Sequence, residues 1–149
     1  DDRFLDETLS HVRLDLLQLH GKESPERLNA IRLEYGLPVM KAVSIATVED
    51  LVAVEPYLDV VDWLLFDAKA PPGAKVPGGR GVTFDWSLLK GRRWPVPWML
   101  AGGLNAGNLT EAVRTTGAGV IDVSSGVEDS PGVKNPRKIL DLLEAADRL

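Results

Sequence analysis

The 149 residues suffice for one domain with a real core, and 44% hydrophobic with 26% charged residues is ordinary for a globular chain. A net charge of −5 argues against nucleic acid or a membrane surface as partner, though not against a small anion held by local amides. Lack of cysteine removes disulfides, thiolate metal sites and thiol catalysis from these residues; no apolar run is long enough for a membrane span and no signal peptide is visible, so a cytoplasmic setting is expected. Residues 2–13 place Phe4, Leu5, Leu9 and Val12 on one helical face. A strand follows at 16–20. Ser24-Pro25 marks a helix start, with Leu28, Ile31 and Tyr35 on one face and Gly36 as its stop. The next strand is 39–43. Thr47-Val48-Glu49-Asp50 opens another helix in a capping pattern, and Pro56 closes it. A mostly apolar strand covers 60–66. After a long loop come a short helix near 85–90, a strand at 98–101 and a helix starting at Asn105. A fifth strand at 120–123 precedes the last helix, which starts at Asn135-Pro136.

Strand starts near 16, 39, 60, 98 and 120 leave one helix-bearing interval each, and the third is the longest. Apolar strands alternating with helices mean a parallel sheet covered on both faces. An open doubly wound sheet and a (β/α)8 barrel both satisfy the pattern. A barrel needs eight strands, so these residues would supply its last five βα units and the helix before them.

Three stretches could carry chemistry. Asp67 sits at the carboxyl end of a strand, beside Trp63, Leu65 and Phe66, where α/β folds gather active groups. Partial desolvation there would raise its pKa and suit a general acid, with Lys69 pushing the other way. The plainer reading is an Asp that ends a strand. The Pro/Gly-rich stretch 71–81 is a lid candidate or a disordered loop. Gly102-Gly103 and then Ser124-Ser125-Gly126 follow the last two strands. Glycines in such loops let backbone N–H groups approach an anion, and Val127–Ser130 could form one short extra helix. One such loop is ambiguous; two in adjacent βα connections suggest a phosphate cup that needs no local Arg or Lys. The spacing does not match a dinucleotide fingerprint. Gln18 could face a ligand, with His20 orienting it or serving as a structural histidine. His11 and His20 without cysteine make zinc improbable. The four tryptophans read as packing, and Lys41 in mid-strand is left without a chemical role.

QLHG, LLFDAK, GGRGVTFDW, LAGGLN-x-x-N and DVSSGVEDSPGVK, in this order, closely resemble the phosphoribosylanthranilate isomerase family of tryptophan biosynthesis. The resemblance implies a (β/α)8 barrel without metal or organic cofactor, acting on a phosphorylated sugar-anthranilate by an Amadori rearrangement. It makes Asp67 the general acid, and Gly102, Gly103, Ser124, Ser125 and Gly126 the phosphate loops. Gln18 and Asp122 become polar positions lining the pocket. The family's general base is a first-strand cysteine, which these residues lack. The chain starts where the family's third helix should start. Three strands, two helices and an early arginine are then outside it, and the chain alone is expected to lose most activity. Pairing with that segment, or with a second copy, is expected. The histidine-pathway isomerase, which shares the phosphate logic, and an inactive half-barrel module are the rival readings.

Overall fold

A computed structural model describes residues 2–68 and 83–149. Lys69 and the lid candidate 71–81 lie outside these residues. The central sheet is parallel and holds β1 (Leu17–Leu19), β2 (Val39–Ile45), β3 (Trp63–Ala68) and β4 (Trp98–Leu100), in the spatial order β1-β2-β3-β4. That order decides between the two architectures. A doubly wound sheet reverses direction at a switch point, whereas a barrel adds each strand beside the last. The series continues with a single parallel bridge between Leu100 and Ile121. The expected strand at 120–123 is therefore reduced to that bridge, held by Leu100 N–H on Val120 O at 3.0 Å and Asp122 N–H on Leu100 O at 2.8 Å.

Register divides the sheet into two faces, because side chains alternate along each strand. One face carries Leu17, Leu19, Val39, Ile45, Leu64, Phe66 and Leu100, which form the main core with Leu28 and Ile31 of α2 (Pro25–Tyr35) and Leu51 of α3 (Val48–Val52). Phe66 is fully buried beneath Trp94 and Trp98, with ring centroids 5.0 and 5.6 Å away. The other face carries Gln18, Met40, Ser44, Leu65, Asp67 and Ala101; its apolar members form a smaller cluster with Leu16, Ala42, Trp63 and Met99.

The helix signals act through identifiable caps. Ser24 Oγ accepts from Arg27 N–H at 3.3 Å, and Gly36 ends α2 at φ 62°, a conformation glycine adopts without a Cβ penalty. Asp50 accepts from the N–H groups of Ala46 and Thr47, starting α3. Asn135 caps α5 (Pro136–Ala146) through Arg137 and Lys138 N–H. The leading helix, α1 (Asp2–His11), buries no residue, and Phe4 remains 67% exposed. Lys41 lies on the helix-facing side, 5% exposed. Its Nζ donates to Gly21 O and Glu23 Oε2, each at 2.7 Å. No helix among the described residues is long and apolar enough to cross a membrane.

Two expectations about local structure fail. The helix after β4 does not start at Asn105. It is α4 (Leu109–Thr116), and 105–108 form a turn in which Asn108 Oδ1 accepts from Asn105 N–H at 2.8 Å. The short helix expected at Val127–Ser130 is an antiparallel hairpin of β5 (Glu128–Ser130) and β6 (Val133–Lys134), after a 3-10 turn at Ser125–Val127. Pro131-Gly132 makes its turn, with Gly132 at φ 81°, and a proline-glycine pair favours that reversal over a helix.

Candidate functional site

Asp67 is the next-to-last residue of β3 and stands on the smaller-core face at the carboxyl end of the sheet. Its Oδ1 accepts from the N–H of Ala68 at 2.8 Å. Burial holds the carboxyl above its ordinary pKa. The Ala68 N–H pulls it back down, and the charge of Asp122 pushes it up again. Asp122 follows the Leu100–Ile121 bridge, so alternation turns it to the face that carries Asp67.

The loop after β4 passes directly over Asp67. Gly102 has φ 88°, and a Cβ added there would lie 2.5 Å from Ala68 N and 2.9 Å from Asp67 Oδ1. Only glycine fits, both for the backbone conformation and for the approach. Gly103 continues with φ 65°. Its carbonyl accepts from Asn108 Nδ2 at 3.0 Å, so one asparagine side chain pins both Gly103 and Asn105.

The second glycine loop meets the first. A Cβ on Gly126 would collide with the carbonyl oxygen of Leu104, and would lie 3.1 Å from Asn105 Cβ. The connections after the last two strand positions thus touch through backbone, and the first of them also touches Asp67. Gly102, Gly103, Ser125 and Gly126 belong to one constellation with Asp67 and Asp122. Ser124 differs. Its hydroxyl and its carbonyl each accept from Lys134 Nζ at 3.0 Å, so the hydroxyl is engaged by the hairpin. Gln18 shares the Asp67 face, two strands away (about 10 Å), and its register partner on β3 is Trp63, four residues or about 13 Å before Asp67. Gln18 is exposed and lines a groove of about 300 Å³ whose other walls include Phe4, Leu5, Leu19, Arg27 and Ile31, so the groove lies against α1 and α2 and not over Asp67. His20 is exposed, not the half-buried structural histidine considered above.

Sequence reasoning missed three contributors. Ser44 is the register partner of Asp67 on β2, and strand pairing alone would reveal it. The spacing N-x-x-N held a signal for Asn108, since the second asparagine can fold back onto the first residue of the turn. Lys134 had no signal until the hairpin was known.

Residues 1–145 match the family model of N-(5'-phosphoribosyl)anthranilate isomerase. The chain belongs to that family. It is 62% identical over 146 residues to the N-(5'-phosphoribosyl)anthranilate isomerase of Paramagnetospirillum magneticum, covering 98% of this chain and 68% of the relative. The Rhodospirillum centenum isomerase is 56% identical over 150 residues, covering 100% and 70%. The solved isomerase from Thermotoga maritima superposes with a TM-score of 0.81 at 34% identity, covering 99% of this chain and 68% of that one. Another isomerase structure, a complex with reduced 1-(o-carboxyphenylamino)-1-deoxyribulose 5-phosphate, superposes at 0.75 with 30% identity, covering 99% and 66%. These neighbours carry the TIM-barrel fold, in agreement with the unreversed strand order.

Proposed function

We propose that these residues form the acid and phosphate-binding half of a phosphoribosylanthranilate isomerase site. The observation that carries the reading is the backbone contact of the two glycine loops beside a carboxyl whose pKa is raised. A phosphate dianion would be held by N–H groups of Gly102, Gly103, Ser125 and Gly126. Main-chain amides can bind it without a side-chain cation, and positive φ at Gly102 and Gly103 lets the chain approach closely. Asp67, next to Gly102, then stands near the sugar ring of the same ligand.

The chemistry follows from that placement. Protonated Asp67 gives its proton to the ring oxygen of the aminated ribose, the C1–O bond breaks, and the nitrogen lone pair forms a C1–N double bond. Loss of the C2 proton gives an enolamine, which becomes the 2-ketose by taking a proton at C1 as the C2 hydroxyl releases its own and forms the carbonyl. Burial raises the Asp67 pKa and the charge of Asp122 adds to it, which favours the protonated carboxyl that the first step requires. Asp122 contributes by disfavouring a second negative charge. Gln18, on the same sheet face, is assigned to the anthranilate end of the ligand. The 149 residues contain no cysteine, and none of the placed groups is assigned the removal of the C2 proton. They supply ligand binding and the acid step.

The test is binding of reduced 1-(o-carboxyphenylamino)-1-deoxyribulose 5-phosphate to the chain. The compound is expected to bind and to be displaced by inorganic phosphate, while its dephosphorylated form binds at least about tenfold more weakly, the value of one charge-assisted contact. Equal binding of both forms would remove the phosphate cup. Asp67→Asn should leave this binding within about threefold and lower turnover by about 10²–10⁴ in the active enzyme, the usual contribution of a general acid.

A further inference from the structure

Among the described residues the proposed cup is made of main-chain amides alone, yet a cation holds the loop that forms one side of it. Lys134 Nζ donates to Ser124 O and to Ser124 Oγ, both at 3.0 Å, and to Glu128 Oε1 at 2.7 Å. The carbonyl it holds belongs to the same planar unit as the N–H of Ser125, because C=O of one residue and N–H of the next share one peptide. No cis peptide occurs among the described residues, so the two ends of that unit point in opposite directions. Lys134 anchors one end, and the other presents its hydrogen on the far side.

We propose that Lys134 is a positioning residue for phosphate binding, acting through the Ser124–Ser125 peptide. The inference rests on the cup reading and deepens it. Holding the Ser124 carbonyl fixes the plane of that peptide, so the Ser125 N–H does not rotate away from the ligand. It also polarises the unit, since a hydrogen bond accepted at the oxygen strengthens the one donated by the nitrogen, by about 10–30% per bond.

The hairpin exists in a form suited to this. Glu128 and Lys134 are directly paired across β5 and β6, and the Pro131-Gly132 turn brings them there. Glu128 also accepts from Gly132 N–H at 3.1 Å, which fixes the turn. Lys138 Nζ donates to Glu128 O at 2.7 Å and Asn135 Nδ2 donates to Asp129, tying the hairpin to α5. The Glu128 side chain is only 12% exposed and lies against the ammonium, offsetting its direct field at the cup. Orientation and polarisation of one peptide remain as the route by which the ligand senses Lys134.

A purely structural ion pair predicts the same effect from removing either partner. A peptide-holding cation predicts opposite effects, because Glu128 removal keeps the ammonium on Ser124 and deletes a nearby negative charge. Inorganic phosphate is titrated into the 149-residue chain, with affinity read from the amide resonances of Gly103, Ser125 and Gly126 and folding from Tm. Lys134→Gln is expected to weaken phosphate about fivefold or more, Lys134→Arg to stay within about twofold, and Glu128→Gln to bind equally or more tightly. The inference is overturned if Lys134→Gln binds phosphate like the unaltered chain, or if Glu128→Gln weakens it as much as Lys134→Gln does. Should Lys134→Gln not fold, Lys134→Arg and Glu128→Gln decide by the same signs. If phosphate binds the unaltered chain without shifting these amides, or does not bind, the cup itself is wrong and this inference goes with it.

Discussion

Gly126→Ala is the sharpest perturbation of the convergence between the two loops. The added methyl would overlap the Leu104 carbonyl, with the Leu104 carbonyl carbon at 2.9 Å and Asn105 Cβ at 3.1 Å. Comfortable contact between carbon atoms needs about 3.5–4.0 Å, so the loops must part by roughly 1 Å. The atoms in the way are mostly backbone, and Asn108 pins that backbone, so a rotamer change does not relieve the clash. Overpacking of this kind costs about 1–3 kcal/mol, which at this chain length lowers Tm by about 2–10 °C. The loss in binding is larger. Displacing Ser125 and Gly126 removes up to two hydrogen bonds to a charged ligand at about 1.5–3 kcal/mol each, or at least about tenfold in phosphate affinity. Gly119→Ala is the matched control, since a Cβ there meets nothing within 4 Å. Calorimetric titration with phosphate and a thermal melt compare the two. If Gly126→Ala melts and binds like Gly119→Ala, the contact between the loops does not exist and the cup fails.

Gly102→Ala combines a positive φ of 88° with an approach of 2.9 Å to Asp67 Oδ1, so it should destabilise by about 1–3 kcal/mol and displace the carboxyl; a melt unchanged from the parent would contradict it. Asp67→Asn should raise Tm at pH 7. The folded pKa is raised above its ordinary 3.8, so the ionised form is held at a cost above the folded value, and the gain should vanish below pH 3.8, where both states are protonated. A gain that persists at low pH would place the effect elsewhere. Lys41→Met should destabilise by about 1–3 kcal/mol by orphaning Glu23 and Gly21 O in a largely buried site, and urea unfolding measures it. Glu23 has its pKa lowered: burial opposes ionisation, and the Lys41 hydrogen bond and charge together with backbone hydrogen bonds outweigh it. Its stabilisation should therefore be present above pH 4.5 and fade as pH falls through the depressed value. A Lys41→Met penalty unchanged below that value would refute the pairing.

Much of this arrangement could be read from local sequence. Ser24-Pro25 and Asn135-Pro136 each start a helix where side-chain oxygens meet the first free N–H groups, and such signals act within a few residues. The strand positions follow from apolar runs, and the place of Asp67 at a strand end follows from those. Strand order was not local, which is why periodicity left the barrel and the doubly wound sheet both open. The hairpin reads as a helix when only the free amides after Ser125 are weighed, although Ser130-Pro131-Gly132 already contains a reversal. Asn105 reads as a helix start because an asparagine cap looks the same one turn early; Asn108 occupies the cap position and gives its side chain to the glycine loop. Ser124 reads as part of a phosphate loop, and only the fold shows Lys134 reaching its hydroxyl and carbonyl from ten residues on. Tertiary approach of that kind leaves no mark in a spacing pattern.

The most direct measurement is a crystal structure of the chain soaked in inorganic phosphate. Phosphate oxygens are expected within hydrogen-bond distance of both Gly103 N and Ser125 N, on the side of the sheet where Asp67 emerges. Phosphate bound by one loop alone, or on the α2 side of the sheet, would contradict a shared anion site beside the acid.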